Sequence, residues 1–358
     1  MKKPSQQALN PIELPIAIDA MGGDCGPEVT VPAALDALQA DPRLSLFLVG
    51  LPDLIEPHIK IYPRADALRA RFHIIPAPEV VTMDDLPAVA LRNKRQSSMR
   101  LALDLVKEGR ASACVSAGNT GALMAISRYV LKMMPGVDRP ALMYRLPTIH
   151  NPHGFFRILD LGANIECTAV QLVQFAVMGA VVSESMDGIV RPRVGLLNIG
   201  TEAMKGTEAI RDAAALLSAQ SAINYTGFVE GNYIYQDVVD VVVCDGFVGN
   251  ITLKVSEGVV TLLLEAIRSE FMRTPFRRFV AWLARPVFRA VKKQFSPEQH
   301  NGAPLLGLEG VVVKSHGGAQ RRAFEVAIHE AALQVTHQVP LRIRSLLAEL
   351  LSIKNESH

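Results

Sequence analysis

The stretch Ile16-Ala-Ile-Asp-Ala-Met-Gly-Gly-Asp-Cys-Gly-Pro27 decides how the chain is read. An apolar strand runs straight into a turn holding three glycines, Gly22, Gly23 and Gly26, and one carboxylate, Asp24. Glycine lacks the Cβ that forbids positive φ, and Pro27 presets φ for a helix beginning near Val29. A helix start presents unpaired N–H groups and partial positive charge to an anion. Taken alone, the run is equally an ordinary tight connection between a strand and a helix.

The pattern repeats. Short apolar runs end in small-residue turns at Gly118-Asn-Thr-Gly121, Asp160-Leu-Gly-Ala-Asn164, Asn198-Ile-Gly-Thr201, Asp245-Gly-Phe-Val-Gly-Asn250 and Ser315-His-Gly-Gly318, each with a helical pattern after it. Strand-like runs at 16–19, 46–50, 72–75, 113–116, 156–160, 194–198, 238–244 and 310–313 alternate with helical periodicity at 29–39, 99–108, 120–131, 168–185, 207–219, 250–268 and 319–337. Several strands are apolar throughout, as burial on both faces demands. The expected fold is α/β, a three-layer, doubly wound, largely parallel sheet. Strands in such a sheet share one carboxyl edge, so the six turns are expected to converge on a single crevice.

Residues 1–12 read as a disordered leader, and residues 13–358 as one α/β catalytic domain. Within it, 257–297 breaks the rhythm: it is too long for one helix of the sheet, and Pro275 and Pro286 should break or kink it. A basic amphipathic helical protrusion is expected there. Six arginines and lysines between Arg268 and Lys293 alternate with Phe271, Phe276, Phe279 and Trp282, opposed by Glu270 alone. The face is either a packed hairpin with solvated arginines or an anchor for an anionic membrane or an acidic protein, through residues such as Arg277, Arg278, Phe279 and Trp282.

The 358 residues, 49% of them hydrophobic, can bury a large core without disulfides. Cys25, Cys114, Cys167 and Cys244 are widely spaced, which suits a reducing cytoplasm. No apolar run follows the basic first residues, so neither secretion nor membrane spanning is expected. A formal net charge of +2 does not suggest a nucleic-acid partner. Phosphate-loop, dinucleotide, zinc-hydrolase and nucleophile-elbow motifs are missing. What remains at the strand ends is glycine, amide, hydroxyl and isolated charge.

Each such residue has two readings. Asn119 and Thr120 stand at a helix start and can cap it or face a ligand. Asn164 after Asp160, and Asn250 after Asp245, carry the same alternatives. Lys205 precedes a helix and can offset a phosphate there or lie free in solvent. His316, beside Gly317 and Gly318, is the best-placed imidazole for proton transfer or anion contact, or is structural. In Lys94-Arg-Gln-Ser-Ser-Met99, cations beside serines can hold an anion, or a serine can simply cap a helix.

The ordered set of stretches resembles the phosphate acyltransferases of bacterial phospholipid synthesis, the PlsX family. They are Ala20-Met-Gly-Gly-Asp-Cys-Gly-Pro27, Lys94-Arg-Gln-Ser-Ser-Met99, Ser116-Ala-Gly-Asn-Thr-Gly-Ala122, Asp160-Leu-Gly-Ala-Asn164, Asn198-Ile-Gly-Thr-Glu202 with Lys205-Gly206, Gly227-Phe-Val-Glu-Gly231, Cys244-Asp-Gly-Phe-Val-Gly-Asn250 and Ser315-His-Gly-Gly-Ala319. They span nearly the whole chain, with one small departure: Glu166 stands where Asp is commoner. The resemblance implies transfer of a fatty acyl group from acyl carrier protein to inorganic phosphate, giving acyl phosphate for a membrane glycerol-3-phosphate acyltransferase. It implies a fold similar to phosphotransacetylases and isocitrate or isopropylmalate dehydrogenases, a homodimer, and neither metal nor other cofactor. It places the protein in the cytoplasm, peripherally on the inner face of the cell membrane.

Under that resemblance, bound phosphate attacks the thioester directly with no acyl-enzyme. The expected cradle is the turn of Gly118, Asn119, Thr120 and Gly121, assisted by Lys205 or Lys94. Asn164 or His316 polarises the carbonyl, a role worth roughly 3 kcal/mol for one good donor. Asp24 and Asp245 orient these groups, with Asp160 and Asn250 in support. Two rivals are a dehydrogenase of the related fold, which needs clustered aspartates where only Asp84 and Asp85 adjoin, and a non-catalytic membrane scaffold.

Overall fold

The structure, a computed structural model, describes residues 14–294 and 297–356; the expected 1–12 leader lies outside them. Eleven strands form one sheet among the described residues: β1 (Leu14–Asp19), β2 (Leu44–Gly50), β3 (Phe72–Pro76), β4 (Ala113–Ser116), β5 (Ala141–Pro147), β6 (Phe155–Leu159), β7 (Arg193–Asn198), β8 (Asn224–Glu230), β9 (Val241–Val243), β10 (Ala303–Leu306) and β11 (Val311–Lys314). The helices are α1 (Pro27–Ala40), α2 (Pro52–Lys60), α3 (Ala65–Leu68), α4 (Pro87–Asn93), α5 (Ser98–Lys107), α6 (Thr120–Leu131), α7 (Ala169–Asp187), α8 (Glu208–Ser218), α9 (Gly246–Met272), α10 (Pro275–Leu283), α11 (Arg285–Gln294), α12 (Arg321–Thr336) and α13 (Val339–Glu356).

Alternation of side chains divides the core into layers. Ile16 and Ile18 on β1 pack with Leu35 of α1 and Phe324 of α12, whereas Ala17 between them faces Leu103 of α5 and Leu123 of α6. Val241 and Val243 on β9 likewise meet Phe175 of α7, while Val242 faces the opposite cluster with Ile234. Each such Leu, Ile or Phe contributes about 1.5–3 kcal/mol by leaving water, so strands apolar on both faces are held between two helical layers.

Strand order is β3-β2-β1-β4-β11-β10-β5-β6-β9-β7-β8. β3, β2, β1, β4 and β11 are mutually parallel, and so are β6, β9, β7 and β8. The three antiparallel pairings β11/β10, β10/β5 and β5/β6 join the two groups, and an odd number of reversals leaves the groups pointing opposite ways. The expected single carboxyl edge is thereby corrected. Turns after β1, β4 and β11 lie on one edge, and those after β6, β7 and β9 on the other.

On the central hairpin, Arg145 of β5 stands directly opposite Arg157 of β6. Two like charges there are tolerable only with acids beside them. Arg157, 1% exposed, is held bidentately by Asp187 at the end of α7, at 2.5 and 2.7 Å. Arg145 reaches Asp187 at 3.6 Å and Glu330 of α12 at 3.2 Å. This quartet, buried except for the half-buried Arg145, ties α7 and α12 to the strands where the sheet reverses.

Helix α9 begins at its cap Asp245, earlier than the periodicity predicts, and continues unbroken to Met272. The prolines act as expected: Pro275 opens α10, and Pro286 lies in the first turn of α11. Leu262, Phe276, Trp282 and Val287 are exposed along these helices, and Phe271 meets Phe288 edge-on at 5.0 Å.

Candidate active site

On the first edge the glycine turns close around a buried acid. Asp19, the last residue of β1, is 1% exposed and accepts hydrogen bonds from the hydroxyls of Ser116 and Ser98, both at 2.6 Å. Burial pushes its carboxyl above the usual range, against the pull of those hydroxyls, the Met21 N–H and the charge of Lys314. A Cβ on Gly22 would lie 2.8 Å from both Asp19 Oδ2 and the Gly118 nitrogen. No side chain fits, so turn meets turn directly. Gly23, at φ +92°, approaches Ala117 and the Gly317 carbonyl, and the Asp24 N–H donates to that carbonyl at 2.9 Å.

Asp24 is exposed and lies over Gly317 and Gly318. His316 is exposed beside it: its Nδ1 accepts from the Gly318 N–H at 3.1 Å, which leaves the proton on Nε2, directed away from that contact. Asn301 sets this loop by accepting from the His316 N–H at 3.0 Å and donating to Ser315 at 2.8 Å. Asp24, His316, Gly118, Asn119, Thr120 and Gly121 are thus brought to one edge.

The two readings of Asn119 resolve toward structure. Its Oδ1 caps α6 by accepting from the Ala122 N–H at 3.0 Å, and its Nδ2 donates to the carbonyls of Met83 and Asp85 at 2.8 and 3.0 Å. The Thr120 hydroxyl has no partner among the described residues and stays available. Lys94 donates to the Val80 carbonyl at 2.8 Å and pairs with Asp85, which holds that carboxyl below the usual range. Its charge is therefore largely offset within the protein. Ser97 caps α5, accepting weakly from the Arg100 N–H at 3.4 Å. Asn119→Ala is expected to lose about 1 kcal/mol as a cap and to free the 82–85 turn. Urea unfolding reads the first effect, and faster amide exchange confined to that turn reads the second.

The second edge gathers the remaining candidates. Asp160 accepts from the Leu142, Ala163 and Asn164 N–H groups and from Asn164 Nδ2, all between 2.7 and 3.1 Å. Burial pushes it up to about 6 despite these donors. Asn164 also donates to the Pro140 carbonyl at 2.7 Å, so both amide hydrogens are engaged and only its oxygen is open. Gly246 and Gly249 let α9 rest against the backbone of Asn164 and Asp160, where any Cβ would collide. Asp245 caps that helix at Val248, 2.8 Å away, and Asn250 lies against Gly162, its amide making no hydrogen bond among the described residues. Lys205 is exposed with no carboxylate partner among the described residues, in a turn held by Asn198, which donates to its carbonyl at 3.1 Å. The strand reversal separates Lys205 and Asn164 from the 118–121 turn within one chain.

Asp19, Ser116 and Lys314 are absent from the sequence-derived candidates, and Ser98 enters them only as an anion contact of the 94–99 run. Their signal is a polar or charged residue closing an apolar run, as in Val311-Val-Val-Lys314. A surface groove of about 600 Å³ between α1 and α12, lined by Asp36, Gln39, Arg321 and Arg322, belongs to neither edge.

Residues 14–342 match the family model described as fatty acid synthesis protein. The chain is 52% identical over 337 residues to a phosphate acyltransferase of Pseudomonas fluorescens, covering 94% of this chain and 98% of that one. It is 51% identical over 339 residues to the phosphate acyltransferase of Alkalilimnicola ehrlichii, with 95% and 97% covered. Among solved structures, a phosphotransacetylase from Streptococcus pyogenes superposes with a TM-score of 0.62 at 17% identity, over 90% of this chain and 94% of that one. A phosphotransacetylase from Staphylococcus aureus gives 0.58 at 14%, over 91% and 96%. Those likenesses show the α/β fold expected from sequence. The match along nearly all of its length shows that the chain belongs to the fatty acid synthesis protein family, the PlsX family, and is an acyltransferase that uses phosphate.

Proposed function

We propose that this enzyme takes a fatty acyl group from the thioester of acyl carrier protein and transfers it to inorganic phosphate on the first edge. The supporting observation is the meeting of three glycine turns over buried Asp19 and Lys314, with Thr120 and His316 open to a ligand. The Thr120 and Gly121 N–H groups that open α6 have no carbonyl within the helix and are not taken by the Asn119 cap, so they and the Thr120 hydroxyl hold the phosphate. A phosphate oxygen attacks the thioester carbon, a C–O bond forms, and the C–S bond breaks with the electron pair leaving on sulfur. The His316 Nε2 proton is directed at the carbonyl oxygen as negative charge develops there. A thiolate leaves readily, so no strong acid is needed, and no acyl-enzyme forms.

Acyl phosphate then serves a membrane glycerol-3-phosphate acyltransferase in phospholipid synthesis. The protein works as a cytoplasmic homodimer, peripherally bound to the inner face of the membrane. The membrane reading is supported by α9, where an eighteen-residue window of mean hydropathy 1.4 is only 6% buried, and by exposed Arg277, Arg278, Phe279 and Trp282 on α10. Phe279 stacks on Trp282 with centroids 6.0 Å apart. Arg277 is partly offset by Glu270, and the Arg278 Nε donates to the Met272 carbonyl at 3.1 Å.

Incubation with acyl carrier protein thioester and labelled phosphate tests the reaction. The expected product is trapped by hydroxylamine as a hydroxamate; turnover with acyl coenzyme A alone overturns the donor, and a covalent acyl-protein on rapid quench overturns the direct attack. Reversing Arg277 and Arg278 together to glutamate is expected to weaken binding to anionic vesicles at least tenfold, since each basic residue near such a surface contributes about 1 kcal/mol. Sedimentation with vesicles measures it, and unchanged binding removes α10 from the membrane contact.

A further inference from the structure

Lys314 ends β11 with a charge buried inside the first edge. It is 6% exposed, and its Nζ donates to the Ala117 carbonyl at 3.3 Å and to the Ser315 carbonyl. An ammonium has three N–H groups, so one is not used by these carbonyls. Among the described residues no carboxylate lies within ion-pair distance, although Asp19 of β1 and Asp24 of the following turn both act on it from further away. Burial brings the ammonium down to about 8 against those two charges. Taking an ion out of water costs several kcal/mol unless it is closely paired, and packing alone would be better served by an apolar side chain here. A cation kept in that position fits an anion arriving from outside.

The geometry shows how it acts. Ala117 immediately precedes Gly118, and the Gly118 N–H lies toward Ser116 Oγ at 3.1 Å and against Gly22. Holding the Ala117 carbonyl fixes the plane of the 117–118 peptide, from which the rest of the turn and the start of α6 follow. Through the adjacent Ser315, the same lysine steadies the loop that carries His316.

We propose that Lys314 is a positioning residue of the phosphate site: it locks the Ala117–Gly118 peptide beneath the glycine turns and provides the buried positive charge that a phosphate dianion offsets. The inference rests on phosphate binding at this edge. The groups around it are Asp19 from β1, Asp24 from the β1–α1 turn, His316 from its own segment, and further along β4 the Cys114 thiol, which burial pushes well up so that it stays neutral. Because an amine raised or lowered in pKa is charged below that value, phosphate affinity is high below about pH 8 and falls as pH rises through it.

The test measures the KM for phosphate with saturating acyl donor, together with calorimetric titration of orthophosphate into the free protein, between about pH 7 and about pH 9.5. In the wild-type protein both constants are expected to stay level and then weaken about tenfold above pH 8, with the donor's KM unmoved. Lys314→Met raises the phosphate constants about tenfold at neutral pH and removes their pH dependence, whereas Lys314→Arg keeps its charge and removes only the pH dependence. A folded Lys314→Met protein with wild-type constants overturns the proposal. If that variant does not fold, level wild-type constants across the range overturn it instead. Binding with this pH profile but without acyl transfer would sink the proposed reaction and leave Lys314 standing; transfer with a level profile would do the reverse.

Discussion

Gly22→Ala is expected to lower the rate of acyl transfer to phosphate by about a hundredfold while the protein still folds. The added methyl would sit 2.8 Å from the Asp19 carboxylate and from the Gly118 nitrogen, and 3.2 Å from the Ala117 nitrogen. Two of those atoms are backbone of the turn after β4, and the third is an acid fixed by two serines, so no flexible side chain can yield. The turns after β1 and β4 must separate, and a displacement approaching 1 Å at a reacting group costs on that order. Overpacking of one methyl costs stability only about 1–3 kcal/mol. Steady-state rates with saturating donor, beside a urea unfolding curve, read the two effects separately. A variant with near wild-type turnover would show that the β1 turn takes no part in the site.

Asp160→Ala is expected to show the largest loss of stability, about 4 kcal/mol in urea unfolding. One carboxylate accepts from three backbone N–H groups and the Asn164 amide, all buried except the half-buried Ala163 N–H, and alanine leaves every one without its partner. Each unsatisfied buried donor costs about 1–3 kcal/mol, less when neighbours share the relaxation. The damage should spread to α9, because Gly249 rests on the Asp160 carbonyl and Gly246 donates to the Asn164 carbonyl at 2.7 Å. Amide exchange at the start of α9 should rise with it. Asp160→Asn keeps one acceptor and the volume, so about half the loss is expected. A loss below about 1 kcal/mol in the alanine variant would mean that water or local rearrangement replaces the carboxylate.

Local pattern was strong for long and regular elements. The eight strands read from apolar runs and the seven helices read from periodicity are all present, with α6 at the predicted bounds and α9 begun early by its Asp245 cap. The three strands not read are β5, β8 and β10. β10 is four residues long and includes Pro304, β5 carries Tyr144 and Arg145 and ends in Pro147, and β8 is an edge strand with Asn224, Thr226 and Gly227. Two of these, β5 and β10, carry the reversal of the sheet. Missing them turned six turns on two edges into six turns on one.

The site shows the same division. Asn119 as a cap, the bond of Asp160 to Asn164 and Asp245 as the cap of α9 follow from short spacings in the chain. Asp19 held by Ser98 and Ser116, 79 and 97 residues away, and Lys314 under Ala117, 197 residues away, do not.

Composition and hydrophobic period were enough to establish an α/β fold, because they depend on neighbours within a few residues, and the resemblance of the ordered motifs to a known family carried the reading of an acyltransferase that uses phosphate. Strand direction across the middle of the sheet, and with it the division of the candidates between two edges, came only from tertiary structure. The pairing of β5 with β10 joins segments more than a hundred residues apart, and no local spacing records that choice.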